Sequence, residues 1–504
     1  MDSSRFNRKS LSICYFVAIF ILLFVYFRFV NSTMVFDADD WIYIANYREA
    51  YPSIYEWNPT RILPEVVMPI IGSFAAFILT PLTGNYIDSI NTAFVASIAF
   101  MITIYLVTIA WALVKSYRLS HHSALTCSFL FLVMHFWAFK SSDKGNLYLF
   151  SAGDLTCYFY YTLPTILNGI LVLVFECDPQ LWNNANTVKK GYILLLLYLA
   201  IFSNMFSSIV LATYCGLVLL FCVIGKGVSQ RNWKVLWNSL IENRIFGGIL
   251  LGWCSSLLFE VKGARAKSVG IEGKVAGIKQ AILNFLEILK NTNPLFLCFF
   301  IGTLLLIAGH IFYQRHQKVQ VKNVHVQKIL CFLFAALIVT VYQILLCGVT
   351  SLTGYIKRGD VLISIYFYIF TAALFSMGYL IQNYPKYQLI IPLLILVALC
   401  NCNSHTHTYQ ELWYGGCNQE TASRISKDIY SQVVQASHQN IHAIEIHVPD
   451  FRHEGNENNW PITTTNMGNG LAETLYKHRQ ISHLMEITII PDAMLNEYYG
   501  IDSK

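Results

Sequence analysis

The sequence predicts a polytopic α-helical membrane protein carrying a small α/β domain at its C-terminal end. Three observations lead there. Of 504 residues, 55% are hydrophobic and only 13% are charged, which is more apolar surface than one soluble core can hide. Apolar runs near bilayer-spanning length recur as far as Cys400 and then stop. The basic residues gather in short connections between those runs, as orientation in a bilayer requires. The net charge of +6 therefore speaks for membrane topology and against a nucleic-acid partner.

Spans are expected at about residues 11 to 30, 89 to 114, 121 to 139, 161 to 176, 191 to 204, 206 to 225, 245 to 260, 295 to 313, 329 to 349, 361 to 381 and 387 to 400, about eleven in all. The first run exceeds a signal-peptide core and no Ala-x-Ala site follows it, so it is expected to remain as an anchor. Val66 to Leu82 is also apolar, but Pro69, Pro81 and Gly72 make it a better helix lying along the membrane surface than a crossing. Tyr192 to Ile224 is too long for one span, and Ser203-Asn204-Met205 is its expected break. With residues 1 to 400 as the membrane domain and about 31 to 88 as its first outer loop, the loops holding Lys115/Arg118, Lys189/Lys190, Lys226/Arg231/Lys234/Arg244 and Arg315/Lys318/Lys322/Lys328 share the side of the N-terminus. A full crossing by Val66 to Leu82 would invert all of them.

Residues 401 to 504 form the second domain, on the outer side. Ile441 to Val448 alternates like a strand, Gly470 to Arg479 has helical periodicity, and Glu486 to Ile490 returns as a strand. Of thirteen cysteines, most lie inside apolar runs, where Cys acts as a small hydrophobe. Cys157, Cys400, Cys402 and Cys417 fall where an oxidising compartment could join them, and Cys417 is expected to pair with Cys400 or Cys402 in preference to a zinc site with His405 and His407.

Candidate chemistry begins just past the first span. Asp37, Asp39 and Asp40 sit beside Trp41 between lipid headgroups and water, where a lipid-borne substrate would be met. In extended backbone Asp37 and Asp39 point one way and Asp40 the other, so one could serve as base while another holds a hydrogen bond or a cation. Aromatic neighbours such as Trp41 suit the face of a sugar, although an interfacial aromatic belt would look the same. Arg61 is expected to clamp a phosphate, with Glu65 as its i, i+4 partner or a second acid or base. Lys357 and Arg358, directly before the span at Val361, are adjacent cations on the face where orientation disfavours them, which a bound anion would explain. Lys262, Arg265 and Lys267 open the basic outer loop 261 to 294, either as a phosphate seat or as stray cations before an amphipathic helix at Ile278 to Leu289. Asp154, in the aromatic loop Leu147 to Tyr161, is a weaker candidate of the same kind.

No Gly-x-Ser-x-Gly, P-loop or dinucleotide fingerprint occurs in a proper strand-to-helix setting. A sugar transferase built this way would need a lipid-linked donor. No metal motif is present either, and a divalent cation held between Asp39 and Asp40 stays open.

Phe36-Asp37-Ala38-Asp39-Asp40-Trp41 followed by Arg61-Ile62-Leu63-Pro64-Glu65, together with Asn459-Trp460-Pro461 and Leu475-Tyr476, resembles the GT-C class of membrane glycosyltransferases. Within that class the chain looks most like the serotype-converting O-antigen glucosyltransferases of enteric bacteria and their phages. The resemblance implies a multi-pass protein of the bacterial inner membrane, with its N-terminus cytoplasmic and its C-terminal domain periplasmic. It implies glucose, or another hexose, moving from an undecaprenyl-phosphate donor to a lipid-linked O-antigen repeat, with a flippase and a donor-synthesising glycosyltransferase as functional partners. The competing reading is a transporter or flippase of a lipid-linked sugar, or an O-antigen polymerase or ligase. Transport would place ionisable residues near the bilayer midplane, and the apolar runs are almost free of them.

Overall fold

The computed structural model describes the chain apart from residues 1–2, 55, 143–144, 147, 151–153, 225–232, 266–273, 318–323, 351, 403–416 and 502–504. Lys267, His405 and His407 lie outside the described residues, as does the side chain of Cys402.

Each segment expected to span is helical. Among the described residues, nine helices are long and apolar enough to cross a membrane: Ser10–Val30, Ile62–Thr83, Tyr86–Tyr117, Leu155–Cys177, Met205–Cys222, Arg244–Lys262, Pro294–His316, Val324–Val349 and Gly359–Asn383. Three further expected spans form shorter helices, His121–Trp137, Thr187–Ile201 and Ile390–Cys402. The break at residues 202 to 204 has a local cause: the Asn204 side chain caps Met205–Cys222 by accepting from the Phe206 amide and also donates to the Tyr160 carbonyl.

Contacts at the helix termini sort the molecule into two ends. Arg28, in the last turn of the first helix, pairs with Asp88 at the start of Tyr86–Tyr117. The Phe202 carbonyl accepts from the Ile62 and Leu63 amides, and Glu260 accepts from Thr60. These residues share the end reached by the acidic segment 37 to 40. At the opposite end Tyr117 stacks near His325 and packs on Gly378, while Lys328 pairs with Glu176 at 2.6 Å. Lys115, Lys189, Lys190, Arg244, Arg315 and Lys328 all sit at helix termini of this second end.

The Ile62–Thr83 helix departs from expectation in part. It starts earlier than Val66, continues through Pro69 with a π-helical turn at Ala75–Leu79, and has the length and apolarity to cross. Its two termini nevertheless reach the same end: Ile62 meets Phe202, and Thr83 leads directly to Tyr86 and Asp88 beside Arg28. Its midpoint is pressed against the acidic segment, because Gly72 lies so close to the Ile44 carbonyl that a Cβ there would come within 2.2 Å of the oxygen. The expected amphipathic helix of the basic outer loop is present as Lys274–Lys290, with Gly277 against the Gly348 carbonyl.

In the C-terminal domain the strands Ala443–Pro449 and Glu486–Asp492 pair in parallel, joined through the helix Met467–Lys477. The helix Gln419–His438 precedes them and Met494–Tyr499 follows. This domain clamps the acidic segment from the side. Pro461 accepts from the Ala38 amide at 3.1 Å, Thr474 donates to the Trp41 carbonyl, Ser426 donates to the Val35 carbonyl, and Gly470 packs on Ile42. Cys400 is exposed and carries a free thiol, whereas Cys417 is buried.

Gly72→Ala is expected to cost roughly 1–3 kcal/mol by overpacking against rigid backbone, seen as a lower thermal midpoint of the detergent-solubilised chain. Gly302→Ala, with no atom within 4 Å of the added carbon, should leave that midpoint unchanged or raise it.

Candidate active site

The segment at Asp37 is not extended. It opens a short helix, Ala38–Tyr43, whose N-cap is Asp37: its side chain accepts from the Asp39 amide at 2.8 Å, and Asp40 reaches back to the Phe36 and Asp37 amides in a capping box. This turn decides which carboxylates face the cavity. Asp40 is fully buried, and its other oxygen accepts from both the amide and the hydroxyl of Thr156, at 2.8 and 2.7 Å. With both oxygens taken by four donors, Asp40 has none free for substrate or for a cation shared with Asp39. Of the three candidate aspartates it is the one absent from the cavity lining, and its bonds tie the short helix to Thr156. Burial drives its carboxyl upward, and the Thr156 and Phe36 donors pull the other way.

Asp37 and Asp39 do line a cavity of about 340 Å³, together with Tyr43, Trp57, Asn58, Arg61, Asp154, Thr156, Cys157, Tyr160, Tyr161, Arg265, Tyr355, Arg358 and Trp460. Of the sequence candidates, Asp37, Asp39, Arg61, Arg265 and Arg358 thus meet in one place, although they are spread over more than 300 positions of chain. Asp39 keeps accessible surface, and among the described residues no hydrogen bond or ion pair holds its carboxylate. Its surroundings raise its proton affinity by desolvation, and the charges of Arg61 and Arg265 oppose that rise. Asp37 is buried with its Oδ2 unpartnered. Burial, then the charges of Asp154, Asp40 and Asp39, push its carboxyl well above the usual carboxylate range. Asp154 caps the helix Leu155–Cys177 through the Cys157 amide, and burial lifts it to about 6 against the pull of Arg358.

The cations are mounted on aromatic faces. Arg61 lies 4.6 Å from the Tyr160 ring centroid, and Arg358 lies 4.7 and 4.9 Å from those of Tyr161 and Tyr355. Arg358 also forms a forked pair with Asp360 and donates to the Cys157 sulfur at 2.7 Å. Arg265 donates to the Tyr355 hydroxyl at 3.4 Å. Three guanidiniums with planar donor forks, beside carboxylates and rings, make a site chemically able to hold a phosphate.

Four further candidates do not join the cavity lining. Glu65 is not paired with Arg61: it accepts from Arg48 at 2.9 Å, Tyr160 at 2.7 Å and Asn58 at 3.3 Å, so it braces the wall behind the cavity. Trp41 is buried in the core and does not line the cavity. Lys357 pairs with Glu287 on the Lys274–Lys290 helix, pointing away from its neighbour Arg358. Lys262 is exposed and absent from the lining. Among the described residues, no group of three or more His, Cys, Asp or Glu side chains is placed to hold a metal ion.

Sequence reasoning missed Arg48, Trp57, Tyr160 and Tyr355. Tyr160 and Tyr355 had a signal in hand, since each stands in an aromatic or basic stretch of sequence directly before a long apolar run. Trp460 was legible only as part of a short motif. The fully buried Asn459 holds it there, donating to the Pro449 and Ile462 carbonyls and accepting from the Phe451 amide. No protein-family model matches the chain, and no curated protein matches it.

Asp40→Ala is expected to destabilise the protein by about 2–5 kcal/mol, because it strands buried donors on two segments at once. Asp39→Ala should change stability by no more than about 0.5 kcal/mol. Thermal unfolding of both variants in detergent distinguishes a buried tie from a free carboxylate.

Proposed function

We propose that the chain is a membrane hexosyltransferase of the GT-C type, moving glucose or another hexose from a polyprenyl-phosphate donor to a lipid-linked O-antigen repeat. The observation that carries this reading is the meeting of three carboxylates, Asp37, Asp39 and Asp154, with three guanidiniums in one aromatic cavity at the end of the helix bundle. The basic helix termini gathered at the opposite end favour a cytoplasmic assignment for that end, and hence a periplasmic cavity and C-terminal domain in a bacterial inner membrane. In that orientation Ile62–Thr83 lies along the outer surface, since both of its termini meet the same end of the bundle. A flippase and a donor-synthesising glycosyltransferase would supply the lipid-linked hexose.

The chemistry is a single displacement. The acceptor hydroxyl oxygen attacks the anomeric carbon, the bond from that carbon to the phosphate oxygen breaks, and the phosphate leaves with the electron pair. Configuration inverts. Arg61, Arg265 and Arg358 bind the phosphate and stabilise the charge it gains on leaving, which needs no protonation. Asp37 takes the hydroxyl proton. Its Oδ2 has no hydrogen-bond partner, and its raised proton affinity is the direction a general base at neutral pH requires. Asp39, facing Arg61 and Arg265, orients the arginines and the acceptor. Trp57 and Trp460 offer apolar faces to the sugar rings.

Asp37→Asn is the informative variant, because Asn caps a helix as well as Asp does and the fold should persist. Expressed in a host that makes the donor and a compatible acceptor, the native chain should add a side-branch hexose to the surface polysaccharide. Asp37→Asn should reduce the rate of transfer by about 10²–10⁴-fold, read by polysaccharide analysis and by transfer in membrane vesicles. Unmodified polysaccharide from the native chain would overturn the reading in favour of transport. The base acts only when ionised, and its proton affinity is raised. Transfer should therefore fall as pH is lowered through a midpoint above the ordinary carboxylate range, and a pH profile in vesicles reads that limb directly.

A further inference from the structure

A second cavity, of about 590 Å³, lies in the C-terminal domain, lined by Ser437, His438, Tyr476, Lys477, Arg479, Gln480, Ile481 and Ser482. It shares no residue with the carboxylate cavity. Its cations differ in how they are held. Lys477 is shared between Asn46 and Glu473. Arg479 forms no hydrogen bond or ion pair through its side chain among the described residues, and its guanidinium lies 5.9 Å from the Phe77 ring centroid.

Two observations give this cavity a direction. The first is the backbone at Arg479. Its φ is +56°, in the left-handed region where the chain leaves the Met467–Lys477 helix, with its amide donating to the Tyr476 carbonyl. Glycine is the residue that adopts this conformation without steric cost. A long cationic side chain there is held against the local preference of the backbone. The second observation is what lies alongside. Phe77 belongs to the Ile62–Thr83 helix, on which Ile70, Phe74, Phe77, Ile78 and Leu82 are 43–79% exposed and follow one another at helical spacing. The rim of a cationic cavity therefore continues into an uncovered apolar stripe. His478, beside it, is anchored to the Tyr86 hydroxyl at 2.8 Å, and burial followed by the charge of Lys477 lowers it to about 4, so it adds no charge near neutrality.

We propose that this cavity binds the headgroup of an anionic membrane lipid, with Arg479 and Lys477 on the phosphate and the acyl chains lying along the Ile70–Leu82 stripe. Cation and stripe match the two halves of such a molecule in the order in which a bilayer presents them. Bound lipid would fix the C-terminal domain over the membrane, and through Lys477 and Asn46 it would steady the helix Ala38–Tyr43 that carries the carboxylates. The inference stands on its own residues and holds whether or not the other cavity transfers a sugar.

The test uses the full detergent-solubilised chain, with lipid binding read by native mass spectrometry. Dioleoylphosphatidylglycerol should bind the native chain more tightly than dioleoylphosphatidylcholine does. Arg479→Gly should weaken the phosphatidylglycerol complex by about fivefold, and Arg479→Gly with Lys477→Gln by roughly thirtyfold, at about one such factor per cation removed. Arg479→Gly should also keep or raise the thermal midpoint of the lipid-free chain, since glycine suits the left-handed position; a merely structural arginine would lower it. Inorganic phosphate at the concentration of the lipid should not displace it, because phosphate lacks the apolar half. Equal phosphatidylglycerol binding by the native chain and the double variant would overturn the proposal. Displacement by equimolar inorganic phosphate would overturn it too, pointing to a pocket for a soluble anion.

Discussion

A carboxylate at zero exposure persists only when its oxygens are saturated, and Asp40 meets that condition by joining segments 116 positions apart. One oxygen closes the capping box of Ala38–Tyr43. The other receives both donors of Thr156, in the first turn of Leu155–Cys177. The short helix after the first span is thereby locked to the start of a long one, and the side of it that bears Asp37 and Asp39 is turned toward Tyr160, Tyr161 and the arginines. Asp154, two residues before Thr156, is brought to the same wall by the same tie. The cavity follows from this lock, since a six-residue helix has too few internal hydrogen bonds to hold an orientation unaided.

Support comes from two further directions. Glu65 gathers Arg48, Asn58 and Tyr160 behind the cavity, which stiffens the ring on which Arg61 rests. The C-terminal domain supplies the lateral wall. Its two strands are parallel, and the loop leaving the carboxyl end of the first strand is the one that brings Trp460 to the cavity. Open parallel sheets present their loops for binding at that edge. Here the edge completes a site founded on another part of the chain, so the second domain forms part of the cavity itself. Its opposite edge, at the start of the strands, carries the second cavity.

Hydropathy made the helices legible and their ends less so, because apolar length is a property of sequence whereas caps and extensions, as at Leu155 before the expected start at 161, depend on local contacts. Even the break at Ser203-Asn204-Met205 was readable, since Asn is a capping residue. Charge out of place was equally legible: Arg358 and Arg265 stood on the face where orientation disfavours cations, and both reach the cavity. Direction within a cluster was not legible. Asp37, Asp39 and Asp40 look alike in sequence, and an extended reading separated Asp40 for the wrong reason; the helix cap, visible in Asp37-Ala38-Asp39-Asp40 as a carboxylate three residues after an N-cap, was overlooked. Lys357 and Arg358 are neighbours that point to different partners. The Arg61 and Glu65 pairing failed because Arg48, far along the loop, is the better partner once the chain has turned, and no local spacing announces such a contact.

The charges of the cavity are also arranged to respond to a ligand. Three carboxylates, Asp37, Asp39 and Asp154, face three guanidiniums; Arg61 and Arg265 hold down the proton affinity of Asp39 and Arg358 that of Asp154, against the rise that burial imposes. A phosphate entering among the arginines would draw their charge to itself and bring its own negative charge beside the carboxylates. Both effects act in one direction, raising the proton affinity of the acids nearest the phosphate. In the proposed transfer the departing phosphate would gain charge in the same place, so the pull for a proton would strengthen as that reaction advanced. A site built from carboxylates alone would lack this coupling, because no cation would be there to release. One built from arginines alone would have no group to receive the proton. In the proposed reaction, the pairing of the two sets would link binding of a phosphate to activation of a hydroxyl.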